Sequence, residues 1–200
     1  MTYTKPIQHR AIETENRFLD ALNECLTERS FEQTSIDDIA NRAGLHRGAF
    51  LKRFGNKRQA LLVLFSRYCD RASAVIQEIQ TNIHRYPTVD AICLDMSIKL
   101  ENIQKADFGS NRAMQEDFLK SFETNPLTKK IFSETVELMK CVQQKFLKDQ
   151  PFTSQGALAA TQLLVSINYN YVIHAMPALP RDDKTRHELI GRCMCAALVL

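Results

Sequence analysis

The chain has 200 residues, 44% of them hydrophobic and 24% charged, and a formal net charge of +3. That content suffices for one globular unit or two small ones, and it excludes a disordered, collagen-like or fibrous chain. Few glycines and prolines, no low-complexity tract, no repeat and no two-residue apolar alternation place the chain in the all-α class. The six cysteines, Cys25, Cys69, Cys93, Cys141, Cys193 and Cys195, are scattered on helical patterns. Met1 to Arg10 lacks the apolar run of a secretory leader, so reduced thiols and a cytoplasmic location are expected.

In chain order, residues 1–14 are polar, with Lys5, His9 and Arg10, and are expected to form a mobile arm. A first amphipathic helix follows to about Arg29, with Phe18, Leu19, Leu22, Cys25 and Leu26 on its buried stripe. Cys25 reads there as packing rather than as a sensor.

From Thr34 to Lys57 the spacing predicts two short helices and a tight bend. Ser35 caps the first, with Asp38 three residues on closing a capping box at the positive end of the helix dipole. Ile36, Ile39, Ala40 and Ala43 share one face, and Gly44 stands where a left-handed residue ends the helix. The second helix starts near His46 or Arg47, buries Phe50 and Phe54, and turns Arg47, Ala49, Lys52 and Arg53 elsewhere. That is the plan of a helix-turn-helix, whose second helix lies in a DNA major groove.

Charge points the same way. The 31 residues between Asp38 and Asp70 hold no acid and seven bases, Arg42, Arg47, Lys52, Arg53, Lys57, Arg58 and Arg67, which leaves 19 bases against 23 acids elsewhere. Such a segment suits phosphate neutralisation and predicts salt-dependent binding. The plainer reading is a solvated basic face on an ordinary helical hairpin. If the hairpin meets DNA, the bases of the arm can reach an adjacent minor groove, against the alternative of a frayed terminus.

The segment Phe18 to Leu62 resembles the DNA-binding domain of the tetracycline-repressor (TetR) family of transcriptional regulators. The likeness rests on the first helix, Phe31 before Thr34-Ser35, the run Asp38-Ile39-Ala40, Ala43-Gly44, Gly48, Phe54, and Asn56-Lys57 opening a fourth helix. It covers about a quarter of the chain; beyond it only the total length and helical character agree. The resemblance implies a DNA-facing set of Thr34, Ser35, His46, Arg47, Gly48, Ala49, Leu51, Lys52, Arg53 and Lys57, with Lys57 at a phosphate-contact position. Four positions depart from the family pattern. His46 replaces the usual Ser or Thr cap, Leu51 a phosphate-binding Tyr, Arg53 a frequent His, and Ser30 a Gly. The lost phenol removes one hydrogen bond, for which Lys52 and Arg53 offer charge.

A long fourth helix is predicted from Asn56 to about Arg85, capped by Asn56 and ended by Tyr86-Pro87. It runs from the hairpin into the rest of the chain, so a tilt at one end must move the other. Thr88 caps the next helix to about Ala106, and Gly109-Ser110 is read as a break before a helix over 111–122. Asn125-Pro126 is a start signal for a helix running from Leu127 to Lys148. From Gln150 to Pro180 there are 31 residues without Asp, Glu, Lys or Arg. A membrane span is rejected there, because Thr161, Gln162, Ser166, Asn168, Asn170 and His174 suit a helix buried in protein, not lipid. A last helix covers about 182–200, with Gly191 as a point of close approach.

The expected organisation is therefore an arm (1–14), a helix-turn-helix domain (15–57) and an effector-binding and dimerisation bundle (58–200). The last two helices can pair across a two-fold axis as in TetR-like proteins, giving a homodimer on double-stranded operator DNA; the alternative is that they fill the monomer's own core. The family implies a small apolar or amphipathic effector. Phe108, Met114, Phe118, Phe122, Met139, Tyr169, Tyr171 and His174 are candidates for its pocket, each with plain core packing as the alternative. No G-x-S-x-G, phosphate loop or G-x-G-x-x-G occurs, so no catalytic residue and no cofactor is expected. Cys193, Cys195 and His187 are not read as a metal site, because helical residues two apart diverge by about 200°. The function expected is a repressor released by its ligand. Its alternatives are the same reader controlled by a partner protein or by cysteine oxidation, and, more remotely, a helical enzyme or interaction module.

Overall fold

The computed structural model describes residues 3–116, 125–148, 154–174 and 179–199. Among them the chain is all α-helical: α1 (His9–Glu28), α2 (Ile36–Arg42), α3 (Arg47–Phe54), α4 (Lys57–Thr81), α5 (Val89–Ala106), α6 (Phe108–Glu116), α7 (Pro126–Phe146), α8 (Ser154–His174) and α9 (Asp183–Leu198). A 3-10 turn, Ile83–Arg85, follows α4. The chain divides into two compact units, Met1–Tyr68 with Asp107–Thr124, and Cys69–Ala106 with Asn125–Leu200; α4 contributes to both.

Local start signals act as their chemistry requires. Asn56 Oδ1 accepts from Gln59 N at 2.8 Å, Thr88 Oγ1 from Ala91 N at 3.2 Å, and Asn125 Oδ1 from Leu127 N at 2.9 Å. Three boundaries differ from the sequence reading. Helix α1 begins at His9, inside the stretch expected to be an arm. Helix α4 ends at Thr81, and the chain to Arg85 tightens into the 3-10 turn. Gly109 and Ser110 do not break the chain but lie buried inside α6. A Cβ at Gly109 would overlap the Asn23 carbonyl oxygen and come within 2.9 Å of Leu26 Cβ. The glycine therefore lets α6 press against α1. The end of the expected 111–122 helix lies outside the described residues.

In the first unit the core is aromatic. Phe18 of α1 meets Phe50 and Phe54 of α3 edge-on, with centroids 5.4 and 6.1 Å away, and all three are buried. Two guanidinium groups reach from elsewhere in the unit to carbonyls at helix ends. Arg17 donates to Ala43 O at 2.6 Å and Gly44 O at 3.2 Å beyond α2, and Arg112 of α6 donates to Leu26 O and, at 2.6 Å, to Arg29 O at the end of α1. Each satisfies carbonyls that the helix geometry leaves orphaned.

In the second unit, Ile76, Ile92, Met96, Leu138, Met139, Leu164, Ile190 and Met194 belong to one buried cluster. Gly156 of α8 admits the Gln143 side chain, which donates to Leu198 O at 2.7 Å. Gly191, expected at a close approach, would place a Cβ at an ordinary 3.4 Å from Leu94 N. An ionic cluster sits inside the same unit. The buried Glu101 carboxylate accepts from Arg186 Nη2 at 2.6 Å and Nε at 3.1 Å, meets Lys105 Nζ at 2.6 Å and contacts His187 Nε2 at 3.0 Å. Arg186 is itself wholly buried, and the Tyr171 ring centroid lies 3.7 Å from its guanidinium carbon. Burial pushes the Glu101 carboxyl up, but the hydrogen bonds from Arg186 and Lys105 outweigh it, and the net displacement is downward. No helix among the described residues is long and apolar enough to cross a membrane.

Candidate nucleic-acid interface

Helix α2 is set by a reciprocal cap. Asp38 N donates to Ser35 Oγ at 3.0 Å, and Ser35 N donates to Asp38 Oδ2 at 2.9 Å, with Ser35 Oγ 2.6 Å from the same carboxylate oxygen. The Ser35 hydroxyl and amide hold the Asp38 carboxyl below its ordinary range. After α2, Gly44 takes φ +62, a left-handed conformation that only glycine adopts cheaply, and the chain turns into α3. His46 precedes α3 without a side-chain cap, as expected where Ser or Thr is missing.

Because Phe50 and Phe54 anchor α3 against α1, its other positions are left outward. His46, Arg47, Gly48 and Lys52 are exposed, and Ala49, Leu51 and Arg53 are half-buried. A Cβ added at Gly48 would meet nothing within 4 Å, so this face is open. Gly55 closes the helix at φ +75.

The basic window is largely answered by acids folded against it. Arg42 is gripped by Glu28 through two contacts of 2.7 Å, Arg47 Nη1 lies 2.8 Å from Asp37, Arg53 Nε 2.9 Å from Glu15, and Arg67 Nη2 2.6 Å from Asp20. Lys57 turns inward, donating to Phe31 O at 2.5 Å and Thr34 O at 2.7 Å, with its ammonium 4.2 Å from the Phe31 ring centroid. Lys52 has no ionic partner among the described residues. The linear count of seven bases thus overstates the charge available to a ligand.

The ten sequence-derived positions accordingly separate. Arg47 and Lys52 are outward cations on α3, with Arg47's side chain 54% exposed. Ser35 is exposed and committed to its cap. Thr34 is 1% exposed and donates its hydroxyl to Ser30 O at 2.9 Å, so its side chain faces the fold interior. Arg53 is held by Glu15 and also donates to Thr4 O at 3.2 Å. Sequence reasoning missed Arg17, Glu15 and Tyr3. Tyr3 donates to Glu15 at 2.9 Å, and its ring lies parallel to Phe54 at 6.4 Å. Burial, then the bond to Glu15, pushes the Tyr3 phenol up to about 12. Glu15 falls on the buried stripe of α1 with Phe18, Leu19 and Leu22, and nothing in its neighbourhood marks its partners.

The residues offered for an effector pocket are not gathered in one unit. Phe118 and Phe122 lie outside the described residues. Phe108 and Met114 belong to α6 in the first unit, whereas Met139, Tyr169, Tyr171 and His174 belong to the second. Met139 is buried core, and Tyr171 covers Arg186. Tyr169 and His174 meet edge to face with centroids 5.6 Å apart. Inside the second unit, Asn168 Nδ2 donates to Ser97 O at 3.4 Å, while Ser97 Oγ and Asn168 Oδ1 have no hydrogen-bond partner among the described residues.

Residues 18–63 match the family model described as bacterial regulatory proteins, tetR family. No curated protein matches the chain in sequence. Among solved structures, it is similar to a TetR-family transcription regulator from Marinobacter aquaeolei, with TM-score 0.71, 17% identity, 96% of this chain and 98% of that one covered. It is also similar to a TetR-family regulator from Mesorhizobium loti (TM-score 0.70, 13% identity, 96% and 98% covered). A third is the regulator FadR from Bacillus subtilis, solved in complex with stearoyl-CoA (TM-score 0.62, 16% identity, 92% and 97% covered). At these identities the neighbours establish the fold, and the matched segment establishes the domain: residues 18–63 carry the helix-turn-helix of the TetR family of bacterial regulatory proteins, in a chain with the fold of TetR-family regulators.

Proposed function

We propose that the protein is a homodimeric, sequence-specific repressor that leaves its operator when a small apolar or amphipathic ligand binds. The observation that carries DNA reading is the seat of α3: Phe50 and Phe54 hold it, while Arg47 and Lys52 face outward on the helix that enters a major groove in this motif. Of the candidate contacts, Arg47 and Lys52 reach bases or phosphates, Ser35, His46, Gly48, Ala49 and Leu51 border them, and Arg53 and Lys57 act chiefly by bracing. Dimerisation is supported by exposed apolar side chains on the last two helices, Leu158 and Val165 seven apart on α8 and Leu189 on α9. Ligand control is supported by the partnerless Ser97 hydroxyl and Asn168 carbonyl inside the second unit, which suit the polar end of an amphipathic molecule with Tyr169 and His174 nearby on α8. The FadR neighbour was solved with an acyl thioester of that general character.

The test is a gel shift with the promoter of the protein's own gene, with sedimentation to give the mass of the bound species. Salt-sensitive, selective retention by a dimer, weakened by Arg47→Ala, is expected. Equal retention of every duplex, or a monomeric bound species, refutes the reading.

One observation favours control by cysteine oxidation as a second reading. The buried Cys93 thiol of α5 is pushed up by a hydrogen bond with Cys195 of α9 and then by burial. Cys195 packs against the buried cluster that contains Cys93. Peroxide oxidation of Cys195 to a sulfenic acid, followed by attack of Cys93 with loss of water, would link α5 to α9. Operator affinity that responds to peroxide in the wild type but not in Cys195→Ser would support it.

A further inference from the structure

The amino-terminal stretch is fastened to the recognition helix. Tyr3 stacks on Phe54 and donates to Glu15, and Arg53 bridges Glu15 and the Thr4 carbonyl with its guanidinium 5.8 Å from the Tyr3 ring centroid. Both Phe54 and Arg53 belong to the last turn of α3. Helix α1 starts at His9, so the chain between Thr4 and His9 is held at both ends.

What is held there is extended, basic and uncovered. Residues 3–7 have no regular secondary structure, and Gln8 is extended at φ −75, ψ 135. Pro6 fixes its own backbone and keeps Lys5 extended before it. Lys5, Ile7, Gln8, His9 and Arg10 are all exposed, Ile7 at 93%, and no acid occurs before Glu13. Neither Lys5 nor Arg10 has an ionic partner among the described residues. An ordinary frayed terminus would not engage a buried carboxylate, an aromatic ring and an arginine of the DNA-reading helix.

We propose that the extended stretch Lys5 to Gln8, with Arg10 in the first turn of α1 at the groove edge, is a second DNA-binding element, which enters the minor groove beside the half-site read by α3, and that Tyr3 and Arg53 are the positioning residues that hold it. The inference rests on the DNA-reading function above. The minor groove is about 6 Å wide, which admits an extended chain but not a helix. Lys5 and Arg10 supply the cations such a groove attracts, and Ile7 packs on its sugar walls.

The experiment is hydroxyl-radical footprinting, which reads the minor groove, on an operator fragment from the protein's own promoter. It compares wild type, the triple variant Lys5→Ala/Ile7→Ala/Arg10→Ala, and Tyr3→Ala. The triple variant changes only exposed side chains, and its melting curve should superpose on the wild type. Expected for it are loss of the flanking protection with the central protection retained, an affinity about tenfold lower, and a salt slope smaller by about one to two per protomer. Tyr3→Ala should blur the flanking protection while leaving every base on the arm. An unchanged footprint with affinity within twofold in the triple variant overturns the arm's role alone. Failure of the wild type to bind any duplex selectively overturns the DNA-reading function, and the arm's role with it.

Discussion

Replacing Asp37 by Asn should tighten DNA binding. Asp37 opens α2 and holds Arg47 of α3 at 2.8 Å, with the two side chains 60% and 54% exposed. A bridge so exposed contributes between 0 and about 1 kcal/mol to the free protein. To meet a base edge or a phosphate, Arg47 must loosen that contact, and the carboxylate stays close to the DNA it has released Arg47 to bind. At about 6 Å in water, a unit charge opposing one phosphate costs roughly 0.7 kcal/mol. Together the two effects amount to about 1 kcal/mol per protomer, or roughly a fivefold gain in affinity. Asn keeps the side-chain shape but forfeits a favourable helix-dipole charge, so a small loss of thermal stability should accompany the gain. Fluorescence anisotropy at several salt concentrations measures it. The curves of wild type and Asp37→Asn should converge as salt rises, because both contributions are screened. In an Arg47→Ala background the gain should shrink to its through-space part. Unchanged or weaker binding by Asp37→Asn would show that Arg47 does not exchange the carboxylate for DNA.

Lys57→Ala removes two hydrogen bonds to backbone carbonyls, so it should lower stability by about 2 to 3 kcal/mol in denaturant titrations and weaken binding to all duplexes alike. Glu101→Gln strands the buried Arg186 cation and should cost about 3 to 5 kcal/mol; pairing it with Arg186→Met should recover part of the loss. Because the Glu101 carboxyl is held below its ordinary 4.5, the stability it confers is complete above that pH and fades as pH falls through the lowered value. Melting temperature followed from pH 6 downward should therefore drop less steeply in the double variant than in the wild type. Gly109→Ala forces a methyl group onto the Asn23 carbonyl and should destabilise the first unit by about 1 to 3 kcal/mol, seen as lost hydrogen-exchange protection along α1.

The helix-turn-helix was legible because its determinants are local. The Ser35–Asp38 cap, the left-handed Gly44 and the Phe50–Phe54 stripe each span five residues or fewer, so spacing alone reveals them. What stayed hidden joins distant parts of the chain. Arg17 reaches Ala43 across 26 positions and Arg53 reaches Glu15 across 38, and neither partner is marked in sequence. Gly109 was read as a break because a glycine signals a turn and a close helix crossing with the same letter; only the α1 backbone beside it distinguishes them. The buried Glu101–Arg186 pair lay 85 residues apart, with nothing in either neighbourhood to announce it.

The acids set against the basic stretch bear on how the protein would find its site. With Arg42, Arg53 and Arg67 already engaged by Glu28, Glu15 and Asp20, the basic stretch has fewer cations than its sequence suggests to cling to arbitrary duplex. Adhesion to random sequence is an electrostatic affair, so each chance encounter should be brief. Residence should then depend on shape and edge matching along the groove, with frequent, shallow landings in place of a long glide over the chromosome.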